Sequence, residues 1–222
     1  MSYYKILNLE HYFKMYKKSV REPRKFWDKI AEENFTWYQK WEKVFEFNFS
    51  EASFKWFVDA KVNITKNCID RHLARRGDKT AIIFEPNNPD EKALHITYNE
   101  LYDKVARMAN VLREQGVQKG DRVCIYLPMI PELAVATLAC ARIGAVHSVV
   151  FAGFSATAVA ARINDCECKM VITSDGSYRG NKSIDLKGIV DEALQKTPCV
   201  EKVLVVKRTN TEVSRPVLQD RQ

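Results

Sequence analysis

Residues 122–151, RVCIYLPMIPELAVATLACARIGAVHSVVF, decide the fold. An apolar run over 122–127 is followed by the short link PMIP, a helical stretch over 131–143, and a second apolar run over 146–151. The alternation continues downstream, predicting a helix at 157–164, a strand at 170–173, a helix at 184–194 and a strand at 202–207. Such regular alternation predicts an α/β fold, a doubly wound and mostly parallel sheet flanked by helices. The strand words VCIYL, VHSVVF, MVIT and KVLVV are almost continuously apolar, as strands buried on both faces require.

Working outward, TAIIF at 80–84 and residues 96–98 flank the polar loop EPNNPDEK and predict an antiparallel hairpin. In the following helix, Leu101, Val105, Met108, Ala109 and Leu112 share one face, and Gly116 ends it. The segment before Gly77 differs in kind. It holds no glycine, is rich in Trp, Phe, Tyr and Lys, and shows helical periodicity, so residues 1–76 are expected to form a helical, aromatic-rich extension ahead of an α/β part at 77–222. Glu22 and Pro23 suit the first turn of a helix carrying Phe26, Trp27 and Ile30.

At 222 residues the chain can build its core without disulfides or a metal, and 46% hydrophobic with 28% charged residues excludes collagen-like and disordered classes. No run of about 18 apolar residues occurs and the first segment, SYYKILNLEHYFKMYKK, is no signal peptide, so a cytoplasmic location is expected. A net charge of +7 agrees with nucleic acid, acidic lipid or a phosphorylated cofactor as partner and does not choose among them. In the aromatic tract acidic residues are as interleaved as basic ones, which argues against a nucleic-acid phosphate backbone; neither nucleic acid nor membrane is an expected partner. The six cysteines read as small buried hydrophobes; Cys166 and Cys168, one residue apart with no second pair, suit neither zinc nor a redox CxxC, so no metal site is expected.

Ligands in an open parallel sheet bind beyond the carboxyl ends of the strands, at PMIP, FAGFS and SDGSYRGNKS. Neither a G-x-G-x-x-G fingerprint nor a Walker P-loop is present. In FAGFS, Gly153 lets the backbone approach a ligand, and Phe151 and Phe154 offer flat faces suited to a purine. The same residues also suit a plain strand-to-helix turn with Ser155 as N-cap. SDGSYRGNKS sets Arg179 and Lys182 in a flexible loop before a helix start, a combination suited to phosphate, although two basic residues in a loop are commonplace. His11, His72, His95 and His147 are scattered and no nucleophile elbow occurs, so no catalytic residue is expected.

Residues 126–155, YLPMIPELAVATLACARIGAVHSVVFAGFS, closely resemble the AMP-forming acetyl-CoA synthetase family of the adenylate-forming enzymes. WFVDAKVNITKNCIDRHL at 56–73, ITYNELYDKVARMANVL, GVQKGDRV and MVITSDGSYRGNKSIDLK at 170–187 resemble the same family in the same order. The resemblance implies that acetate reacts with ATP, with Mg2+, to give acetyl-AMP and pyrophosphate, and that the CoA thiol then displaces AMP. It also implies that Phe151, Ala152 and Gly153 contact the CoA adenine, that Arg179, Gly180, Asn181 and Lys182 hold the nucleotide 3′-phosphate, and that Ile184 lies nearby. Ala152 stands where the family often has Gly, and Lys182 where it often has Arg; the second change keeps the charge and loses a bidentate fork.

In the family the ATP phosphate loop, the acetate pocket and the mobile C-terminal domain with its catalytic lysine all lie further along. The chain is therefore expected to be the N-terminal portion of such an enzyme, a partial subdomain that is inactive alone and contributes the CoA nucleotide site. The remainder of the parent synthetase is then its partner. Propionyl- or acetoacetyl-CoA synthetase, or a non-catalytic CoA- or nucleotide-binding module, are the alternative readings.

Overall fold

Asn8 begins the first helix: its side chain accepts a hydrogen bond from the His11 N–H at 2.8 Å, satisfying one of the donors a helix start leaves open. The computed structural model describes residues 6–180 and 182–213. Two compact units part after Asn67. The first contains α1 (Leu9–Arg21), α2 (Pro23–Asn34), the strands β1 (Lys43–Asn48) and β2 (Ser53–Val58), and the beginning of the short α3 (Ile64–Cys68). Pro23 opens α2 as expected, because its missing N–H would be unpaired there in any case.

The aromatic tract corrects the expectation of an all-helical extension: residues 43–58 form an antiparallel hairpin, pairing Phe45 with Trp56 and Phe47 with Phe54. Phe45, Phe47, Phe54 and Trp56 recur at every second residue, and a two-residue period places their rings on one face of a strand pair. Phe54 stacks on Phe45 at 6.0 Å and on Phe47 at 6.2 Å between ring centroids. The buried Asn67 closes the unit, accepting from the Thr36 N–H at 2.7 Å and donating to the Thr36 carbonyl at 3.1 Å.

The second unit begins earlier than the expected boundary at Gly77, because Ile69 is fully buried in its core beside Val105 and Leu112. After α4 (Leu73–Arg76), β3 (Thr80–Phe84) and β4 (Leu94–Thr97) form the expected antiparallel hairpin. Next, α5 (Tyr98–Glu114) opens on a reciprocal cap in which Thr97 Oγ1 accepts from the Glu100 N–H and Glu100 Oε2 from the Thr97 N–H. It closes at Gly116, whose φ of +89° allows the Val117 N–H to reach the Leu112 carbonyl at 2.9 Å.

The sheet follows: β5 (Arg122–Tyr126), α6 (Pro131–Ile143), β6 (Val146–Val149), α7 (Ala156–Asp165), β7 (Met170–Ser174), β8 (Ser177–Arg179), β9 (Lys182–Ile184), α8 (Leu186–Leu194) and β10 (Lys202–Val206). Four of these strands are parallel in the order β10–β7–β5–β6. Val123, Ile125, Met170 and Ile172 pack beneath α5 and α6, while Cys124, Tyr126 and Val171 pack beneath α7 and α8. The chain turns back after β6, and right-handed crossovers running in opposite directions leave their helices on opposite faces. The doubly wound architecture expected from the alternation is therefore present, with a sheet hydrophobic on both sides.

Candidate functional site

β5 and β7 are neighbours whose following helices lie on opposite faces, so a crevice opens between their carboxyl ends. A cleft of about 450 Å³ sits there, walled by Met129 after β5, by Phe151, Ala152 and Gly153 after β6, and by Tyr178, Arg179 and Ile184 from β8 and β9. Phe151, Ala152, Gly153, Arg179 and Ile184 are thus brought together from segments nearly thirty residues apart in sequence. Gly180 and Lys182 lie beside the cleft on the same hairpin and do not line it, and Asn181 falls outside the described residues.

FAGFS forms the strand-to-helix turn expected of it and also faces the cleft. Ser155 caps α7, its hydroxyl accepting from the Ala158 N–H at 3.4 Å. Phe151 does not pack inward: it is 65% exposed and meets Phe154 edge-on at 6.0 Å. Beneath them, the fully buried Tyr126 donates its hydroxyl to the Phe154 carbonyl at 2.8 Å, and burial, with Cys124 close by, holds that phenol above its ordinary pKa. The Arg162 guanidinium lies 4.5 Å over the Phe154 ring. At Gly153 a Cβ would come within 2.7 Å of the Phe151 ring, so the bare backbone is what lets that ring lie over it.

SDGSYRGNKS requires a correction. It is an antiparallel hairpin, with Arg179 paired to Lys182 across a turn in which Gly180 has a φ of +58°, and not a flexible loop leading directly into a helix. α8 begins two residues later than expected, and the Asp185 carboxylate accepts from the Gly188 N–H at 2.8 Å, so this helix start is already occupied by its own side chain. Arg179 and Lys182 are both exposed, and among the described residues neither has an acidic partner. The cleft is thus lined by the Arg179 cation, with Lys182 beside it on the hairpin, and by the Phe151 ring after β6, an arrangement suited to an aromatic base bearing a phosphate.

Three residues escaped the sequence reading. Met129 and Tyr178 line the cleft, and their types gave no particular signal. Asp175, directly after β7, is 2% exposed, and its Oδ1 accepts N–H groups from Gly176 at 2.8 Å, Arg208 at 2.7 Å and Thr209 at 3.0 Å. Burial pushes its carboxyl up, but those backbone donors outweigh burial and hold it below the usual value. His147, expected to open a buried strand, is exposed because β6 is the sheet edge. Among the described residues no group of three His, Cys, Asp or Glu is arranged to hold a metal ion, and no helix is long and apolar enough to cross a membrane.

Residues 69–222 match the AMP-binding enzyme family, and residues 12–68 match the acetyl-coenzyme A synthetase N-terminus. Acetyl-coenzyme A synthetase of Syntrophobacter fumaroxidans is 54% identical over 213 residues, which is 96% of this chain and 32% of that protein. The Magnetococcus marinus acetyl-coenzyme A synthetase is 51% identical over 210 residues, 94% of this chain and again 32% of the relative. Acetoacetyl-CoA synthetase from Streptomyces lividans superposes with a TM-score of 0.81 at 29% identity, covering 89% of this chain and 30% of that one. The chain spans about a third of the length of the relatives it matches.

Proposed function

Since the chain belongs to the AMP-binding enzyme family, we propose that it forms the N-terminal part of an AMP-forming acetate–CoA ligase and that its cleft receives the nucleotide end of CoA. The observation that carries this reading is the meeting of Phe151, Ala152 and Gly153 with Arg179 and Ile184 around one cleft at the switch point of the sheet. In the ligase, acetate attacks ATP to give acetyl-AMP and pyrophosphate, and the CoA thiol then takes the acetyl group and releases AMP.

This part of the enzyme binds and orients. The exposed face of Phe151 stacks on the adenine, Gly153 leaves room for that ring to lie over the backbone, and Ile184 closes the apolar side. Arg179 presents a planar fork to the 3′-phosphate, and Lys182, opposite it on the hairpin, adds a point charge; Gly180 and Asn181 form the connection between them. In this reading ATP and Mg2+ are held by other parts of the ligase. All six cysteines are free thiols, which suits the reducing cytoplasm.

The test is Arg179→Ala in a full-length synthetase carrying this chain. A charge-assisted contact to phosphate is worth about 1.5–3 kcal/mol, so the KM for CoA should rise roughly ten- to a hundredfold. Dephospho-CoA, which lacks the 3′-phosphate, should be used about equally by wild type and variant. A variant that still separates CoA from dephospho-CoA as well as the wild type does would show that the phosphate binds elsewhere.

A further inference from the structure

The hairpin that carries Arg179 is a three-residue strand pair, too short to hold its own position, and it is fastened to the rest of the unit at identifiable points. At its entry, the Asp175 carboxylate gathers backbone N–H groups from two separate segments: Gly176 at the start of the hairpin, and Arg208 and Thr209 beyond the end of β10. An ionised carboxylate is acceptor-only, with about four lone-pair sites, so one side chain can satisfy all three donors at once. Ser174 Oγ donates to the Gly176 carbonyl at 2.9 Å, fixing the same turn from its other side. Gly176 has no room for a side chain, since a Cβ would stand 2.7 Å from Thr209 Oγ1 and 3.1 Å from the Ile184 carbonyl.

The segment fastened by Asp175 also reaches the hairpin directly. The Arg208 guanidinium lies 5.6 Å over the ring of Tyr178, the neighbour of Arg179, and is ion-paired to Glu91 at 3.4 Å. At the tip, Asn87 Nδ2 donates to the Gly180 carbonyl at 3.2 Å. Asp175 and Ser174 are both buried, so their geometry is set by the core and not by solvent, and of the two it is the Asp175 carboxylate that joins the hairpin entry to a second segment.

We propose that Asp175 is the positioning residue of the phosphate-binding hairpin: by tying the entry of β8 to Arg208 and Thr209, its carboxylate fixes where the Arg179 guanidinium meets the 3′-phosphate of CoA. The inference rests on the reading of the hairpin as the phosphate site. Asp175 touches no ligand itself, and its effect is on selectivity: with the entry loosened, Arg179 keeps its charge and loses its place. A displacement of about 1 Å is enough to cost up to a hundredfold where a fork must meet its partner in one geometry.

The experiment compares wild type, Arg179→Ala and Asp175→Ala in a full-length synthetase carrying this chain, reading for each the ratio of kcat/KM for CoA to that for dephospho-CoA. The ratio is internal to each preparation, so a smaller folded fraction cancels from it and a merely structural role leaves it unmoved. Arg179→Ala should abolish the preference for CoA, and Asp175→Ala should reduce it roughly tenfold. Loss of the preference in Arg179→Ala with full retention in Asp175→Ala overturns the positioning role while leaving the phosphate site intact. Retention in Arg179→Ala overturns the phosphate site, and the present inference with it. If Asp175→Ala does not accumulate as folded protein, Asp175→Asn, which keeps the volume and one acceptor oxygen, carries the same comparison with the same criteria.

Discussion

Replacing Tyr126 with Phe removes one atom from a site where its contribution can be worked out. The residue is fully buried at the end of β5, and its hydroxyl donates at 2.8 Å to the carbonyl of Phe154, in the turn that carries the proposed adenine shelf. The ring stays, so no cavity of consequence opens and the packing against Val150 and Val159 is kept. What remains is a carbonyl deprived of its donor, a loss of about 1–2 kcal/mol. For a chain of this size each kcal/mol lowers the Tm by about 2–4 °C, so thermal unfolding followed by circular dichroism should show a fall of roughly 2–8 °C. Because burial holds the phenol above its ordinary pKa, the hydroxyl remains a donor in mildly alkaline solution, and the difference should persist at about pH 9. Wild type and Tyr126→Phe melting within about 1 °C of each other would refute the reasoning, since it would mean that solvent already reaches and satisfies the Phe154 carbonyl.

Gly153→Ala should behave in the opposite way, leaving the Tm within about 1 °C while raising the KM for CoA in the full-length enzyme, because the atom a Cβ would strike belongs to the exposed and movable Phe151 ring; a large loss of stability would count against that view. Asp175→Asn should lower stability at neutral pH. Because the folded carboxyl sits below its ordinary value of 3.8, the wild-type advantage is present above that pH and is lost as pH falls through the folded pKa, so urea midpoints measured from about pH 7 to pH 3 should converge at the acid end. Under native conditions at about pH 8, iodoacetamide should label the exposed Cys68 first. Cys140, which burial pushes up to about 12, should stay unlabelled, and peptide mapping that finds Cys140 modified as fast as Cys68 would contradict the packing of α6.

The sequence by itself determined the elements whose signals are local. α6 runs from Pro131 to Ile143 as its pattern requires, Gly116 ends α5, and the four apolar words became the four parallel strands, because periodicity, caps and turn residues act within a few positions of the chain. The strand-to-helix turn at FAGFS was legible for the same reason, with Ser155 placed to cap the helix that follows. Other features required the tertiary structure. Phe45, Phe47, Phe54 and Trp56 alternate as strand residues do, but which of them face one another was decided by the pairing across the hairpin. The pairing of Arg179 with Lys182, the order β10–β7–β5–β6, and the capture of the Arg208 and Thr209 N–H groups by Asp175 all join residues whose spacing along the chain carries no mark of their contact. Such contacts form because burying both faces of the sheet leaves one strand order that satisfies the crossovers, and that order in turn decides which loops share a cleft.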